Sequence, residues 1–118
     1  MNSKDLSNLI QEIESTKPLK LLIKGTREDA PVPIGFYNSK KQFTPDIVAK
    51  YSDKRDFYAI EKNIPEKDIH LLIFKWILFA AEARKMAGTF FLVIPKSKTH
   101  LCKKIIHEKQ LEIKLITL

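Results

Sequence analysis

The chain has 118 residues, a formal net charge of +7 and a pI of about 9.5. That length suits one domain with a core of its own, and no charge-free apolar run reaches the roughly 18 residues that span a membrane. The lone Cys102 excludes an internal disulfide and a Cys-rich zinc site, while the positive balance favours polyanions such as DNA or RNA.

The first helix is predicted from Ser3 to Ser15, with Leu6, Leu9, Ile10 and Ile13 at helical spacing, Ser3 as N-cap and Pro18 as the stop. "PLKLLIKG" reads as a short strand in which Leu19, Leu21 and Ile23 alternate with Lys20, Leu22 and Lys24, ended by Gly25. "TREDAPVPIGFYNSKKQFT" carries Pro31, Pro33 and Gly35 and reads as a long loop, with a brief strand at Ile34 to Tyr37. "PDIVAKY" and "DFYAIEKN" form a strand pair across the polar turn "SDKR". After Pro65 comes the longest helix, about Glu66 to Ala87. It is apolar on more than one face and closed by Gly88 as a C-terminal cap. "TFFLVIP" is continuously apolar, the mark of a strand covered on both faces, so Thr89 to Pro95 is expected at the centre of the sheet. "KTHLCKKIIHEKQ" is a basic amphipathic helix, and "LEIKLITL" alternates as a closing strand.

The early strands are joined by a loop and a tight turn, which implies antiparallel pairing. The later ones are joined by helices, which implies parallel neighbours with right-handed crossovers. The expected fold is α/β: a single domain over residues 1–118, a mixed sheet flanked by helices, in the order α-β-β-β-α-β-α-β.

With Pro45-Asp46 opening one strand and Glu61 near the end of the next, this order resembles the PD-(D/E)XK nuclease superfamily, the restriction-endonuclease-like fold. The resemblance in element order covers nearly the whole chain. The motif resemblance covers Pro45, Asp46 and Glu61. It implies that Asp46 and Glu61 bind Mg2+ or Mn2+ and face one cleft from adjacent strands. It also implies a lysine two residues after Glu61 that helps activate water, and there the chain has Asn63. Strand alternation puts Glu61 and Asn63 on one face and Lys62 on the other. The family sometimes draws its lysine from another element, and Lys75 on the long helix and Lys50 are the candidates. Glu12 or Glu14 on the first helix is a possible third ligand by the same resemblance.

Other features read as structure. Phe74, Trp76 and Phe79 are core aromatics. His70 is a flank residue, and His100 and His107 are too far apart for a metal pair on one helix. Cys102 is a packed thiol. Lys96, Lys98, Lys103 and Lys104 form a solvated basic face able to meet phosphates. The N-terminal "MNSKDLSNLIQEIE" is acidic and polar where a signal peptide is basic then apolar, so a cytoplasmic location is expected. The functional expectation is salt-sensitive binding of DNA or RNA, with magnesium-dependent cleavage slow or lost because Asn63 supplies no charge. The alternative is a non-catalytic scaffold of the same fold binding a protein partner, and a chain this small needs a homodimer or a larger partner to gain sequence specificity or cut two strands.

Overall fold

The computed structural model describes residues 2–26, 30–35, 40–65, 67 and 69–118. Two cores are built on opposite faces of one five-stranded sheet, and the alternation of each strand decides which side chain joins which. The strands are β1 (Lys20–Ile23), β4 (Ile47–Lys50), β5 (Arg55–Ile60), β6 (Phe90–Ile94) and β7 (Ile113–Thr117), in that spatial order. The pairs β1–β4 and β4–β5 are antiparallel, whereas β5–β6 and β6–β7 are parallel. This is the expected mixed α/β sheet in a single domain. Two short strands, β2 (Ile34–Gly35) and β3 (Gln42–Phe43), form a separate antiparallel pair. β3 was not foreseen in the polar loop sequence, and Phe36 and Tyr37 lie outside the described residues.

α1 (Ser3–Ser15) covers one face, with Leu9 and Ile13 against Ile47, Ala49, Tyr58 and Val93. α2 (His70–Lys85) and α3 (Thr99–Lys109) cover the other. There Trp76, Phe79 and Cys102 meet Val48, Phe57, Ala59, Phe90 and Leu92. The ring of Phe79 meets that of Phe90 edge-on at 5.6 Å. Among the described residues, no helix is long and apolar enough to cross a membrane.

Several sequence expectations need correction. The N-cap of α1 is Asn2, not Ser3, because Asn2 and Asp5 exchange side-chain and backbone hydrogen bonds in a capping box. In β1 the buried side chain is Leu22, while Leu19 is 76% exposed. The strand is apolar on both sides, and packing chose the side. α2 begins at His70 rather than near Glu66; Glu66 itself lies outside the described residues. The left-handed residue closing α2 is Ala87 (φ 60°), not Gly88. The Gly88 amide donates to Ala83 O and that of Ala87 to Arg84 O, which is a Schellman closure. Gly88 serves a different need: a Cβ there would overlap the carbonyl of Arg55. β6 is interior and covered on both faces, but the middle of the sheet is β5.

Candidate functional site

At one edge of the sheet, β1 and β5 end and β4 begins, so antiparallel and parallel strands deliver side chains to the same place. The register pairs Ile47 with Tyr58, which sets Asp46 opposite Ala59. Ile47 and Tyr58 belong to the α1 face and Val48 and Ala59 to the other. Asp46 itself lies just before β4, with its side chain turned onto the β5 backbone at Ile60. Glu61 follows Ala59 by two residues, and its amide continues the parallel ladder by donating to Val93 O at 2.9 Å. Asp46 and Glu61 thus lie at adjoining ends of neighbouring strands, within electrostatic reach of each other.

Each carboxylate is held by a different kind of donor. Asp46 Oδ2 accepts the backbone N–H of Ile60 at 2.7 Å, and the Asp46 amide donates to Tyr58 O at 2.9 Å. Glu61 is buried, and its Oε1 accepts from Lys75 Nζ at 2.6 Å. Lys75 comes from α2, one turn before Phe79, and its ammonium lies 5.9 Å from the centre of that ring. Burial pushes the Glu61 carboxyl above its ordinary range. The Lys75 hydrogen bond and charge oppose this, the negative charge of Asp46 adds to it, and Lys24 opposes it. Lys75, Asp46 and Lys24 thus all lie within electrostatic reach of Glu61.

Of the other residues singled out, Asn63 is exposed and lines a cavity together with Lys75. Because β5 ends at Ile60, alternation does not fix the direction of Lys62 or Asn63. Lys50 stands at the far end of β4, opposite Arg55 and Lys20, and is not brought to the carboxylates. Glu12 and Glu14 are exposed on α1, which covers the opposite face. Sequence reasoning missed Lys24, whose amide donates to Asp46 O at 2.8 Å. The signal was its place directly after β1, beside the start of β4. The Cys102 thiol, buried in α3, is pushed up to about 11, first by burial, then by the charge of Glu61, with Lys98 opposing. The start of α3 therefore lies within electrostatic reach of the site.

The metal implied by the resemblance can be tested against this donor set. Among the described residues, no three His, Cys, Asp or Glu side chains gather into a metal cage. Magnesium does not need one, since it keeps several waters and takes one or two carboxylates beside a substrate phosphate. The described hydrogen bonds use Asp46 Oδ2 and Glu61 Oε1, which leaves Asp46 Oδ1 and Glu61 Oε2. Glu61 also carries a desolvation penalty that a nearby cation would offset. The residues fit a hydrated magnesium or manganese ion. Compared with family models, with curated proteins and with solved structures, the chain matches none.

Proposed function

We propose that the chain is a restriction-endonuclease-like, magnesium- or manganese-dependent phosphodiester hydrolase of DNA or RNA whose lysine is supplied by α2. The observation that carries this reading is the 2.6 Å contact between Lys75 Nζ and Glu61 Oε1. It puts an ammonium group beside the carboxylate pair, where Asn63 brings none. The meander of β1, β4 and β5 followed by helical crossovers, with Asp46 and Glu61 at one sheet edge, supports the same assignment.

In this reading Asp46 and Glu61 hold the ion. When bound, it polarises the scissile phosphate and lowers the pKa of the attacking water. Lys75 sets a positive charge where negative charge develops on the phosphate. Asn63 can donate a hydrogen bond to a phosphate oxygen, without charge. Lys24, Lys96 and Lys98 attract the sugar-phosphate backbone with little regard to sequence. The expectation of slow or lost cleavage rested on Asn63. With Lys75 in the lysine's role, cleavage by the parent chain follows instead.

The test is cleavage of end-labelled DNA and RNA oligonucleotides by the full chain with magnesium or manganese. Asp46→Ala and Lys75→Met should each slow it by about 10²- to 10³-fold, the scale of one lost charge-stabilising donor. Moving the lysine back, in Asn63→Lys/Lys75→Met, should recover part of the loss. Binding should weaken steeply with salt. An inactive parent, or Lys75→Met cutting as well as the parent, would leave the Glu61–Lys75 contact as a structural ion pair and the fold as a binding scaffold.

A further inference from the structure

Beside the carboxylate pair lies a cavity of about 340 Å³ lined by Phe43, Pro65, Leu71 and Leu72, and completed by Asn63 and Lys75. Phosphate sites are polar, and these walls are not. Leu71, 53% exposed, presents its side chain at the rim of this cavity. Phe43 is half-buried, its ring 6.0 Å from that of Phe74 and tilted by 58°.

Two elements build this cavity. The small β2–β3 pair brings Phe43, and the first turns of α2 bring Leu71, Leu72 and then Lys75. Leu71 and Lys75 are four apart, so they share a stripe of the helix. The stem of Lys75 can therefore border the apolar cavity while its ammonium reaches Glu61. Asn63 adds a carboxamide that both donates and accepts. An apolar slot with a carboxamide, joined through one lysine to a carboxylate pair, matches a nucleotide. The base has flat apolar faces and a polar edge, and its phosphate lies a few bonds away. Charge favours this occupant over an apolar peptide. Lys75 lines the cavity, and the chain's net charge of +7 draws in a polyanion.

Bases inside a duplex are stacked and paired, and cannot enter such a slot without leaving the helix. We propose that this cavity receives an unstacked base of the nucleotide whose phosphate lies at Asp46, Glu61 and Lys75, so that the substrate is single-stranded DNA or RNA. This rests on the hydrolase reading for the position of the phosphate. Recognition then works as in other single-strand readers, by stacking on an aromatic ring and hydrogen bonding at the base edge.

The experiment is fluorescence anisotropy with the full chain, without divalent metal, on single-stranded DNA, single-stranded RNA and the matched duplexes. Cleavage of the same four substrates with magnesium is measured in parallel. The parent should bind at least one single strand about tenfold more tightly than its duplex. Phe43→Leu and Leu71→Ser should each reduce single-strand binding several-fold, up to about tenfold, as expected for one lost base contact. Duplex binding should not change. Leu71 is exposed, so Leu71→Ser tests the cavity even where Phe43→Leu disturbs packing. Equal binding of strands and duplexes, unaffected by either substitution, overturns the proposal, and so does the absence of any nucleic-acid binding. The two readings fail separately. Phe43-dependent single-strand binding without cleavage removes the hydrolase and keeps the cavity. Cleavage indifferent to strandedness and to both substitutions does the reverse.

Discussion

β5 carries a buried carboxylate at each end, and the two are treated differently. At its start, Asp56 accepts the backbone N–H of Thr89 at 2.9 Å and lies 3.5 Å from Lys54 Nζ. Beside it Gly88 lets the chain leaving α2 pass against the backbone of Arg55. That end is closed: the carboxylate's main partner is a main-chain amide, fixed by the ladder that joins β5 to β6. At the other end, Glu61 is also buried, but its partner is the side chain of one lysine. Burial outweighs Lys75 and raises its pKa. Asp56, tied to the main-chain amide of Thr89, joins the end of α2 to the start of β5 and serves the fold. Glu61 is held instead by a side-chain ammonium, a partner that the proposed function has it exchange for a cation or a substrate. In that reading the same strand has a structural end and a chemical end.

The closed end should break first and hardest. Gly88→Ala puts a methyl group into a backbone carbonyl that cannot step aside, so it should cost about 3 kcal/mol or more in denaturant unfolding, the upper range for overpacking. One residue earlier the sign reverses. Ala87 holds φ at 60°, a conformation unfavourable for any residue with a Cβ, and Ala87→Gly should stabilise by up to about 1 kcal/mol. If Gly88→Ala is tolerated, the close approach to Arg55 is not a constraint and the contrast between the ends loses its basis.

The two carboxylates sharpen the comparison at a smaller scale. Asp56→Ala strips the Thr89 amide of its acceptor in a part-buried setting, which should cost about 2 kcal/mol. Removing both partners at the other end, in Glu61→Leu/Lys75→Met, should leave stability within about 1 kcal/mol of the parent, since replacing a buried ion pair with apolar groups is often neutral or better. Thermal unfolding of the two variants side by side is the measurement. A large loss in the double variant and none in Asp56→Ala would exchange the roles assigned to the two ends.

How much of this was legible in the sequence follows the same division. Elements fixed by local periodicity were readable: α1 within its observed bounds, the doubly covered β6, the basic α3 and the β4–β5 hairpin. Features set by tertiary approach were not. Leu21 and Leu22 are both apolar, and nothing local says which of them faces α2. The closure of α2 reads as a glycine signal, but the left-handed turn falls on Ala87 and the glycine answers to Arg55, a residue 33 positions away. At the site, the resemblance singled out Asp46 and Glu61, and the short turn between their strands was enough to expect them at adjoining strand ends. Lys75 and Lys50 were equal candidates because the choice depends on how α2 crosses the end of β5. Lys24 went unnoticed because β1 pairs with β4, far away in sequence, and the Phe43 cavity because it needs α2 packed beside β3.

The smallest effect separates the ends by pH. Glu61 titrates above its ordinary range in the folded chain, so as pH rises the unfolded chain releases this proton first. The folded state then binds more protons than the unfolded one, and stability falls with rising pH. Glu61's contribution is complete below the ordinary glutamate range and is lost once pH passes the raised value. Other acids contribute their own slopes, so the informative quantity is the difference between the parent and Glu61→Gln. Measured by urea unfolding in chelator from mildly acidic to neutral pH, Glu61→Gln should gain on the parent as pH rises, then level off. Magnesium should shrink that gain by stabilising only the parent, as a ligand of the folded state does. A pH-independent difference would mean that Lys75 compensates Glu61 fully, making it as closed a group as Asp56. A pH-dependent difference that magnesium leaves untouched would keep the strained carboxylate and deny it the metal.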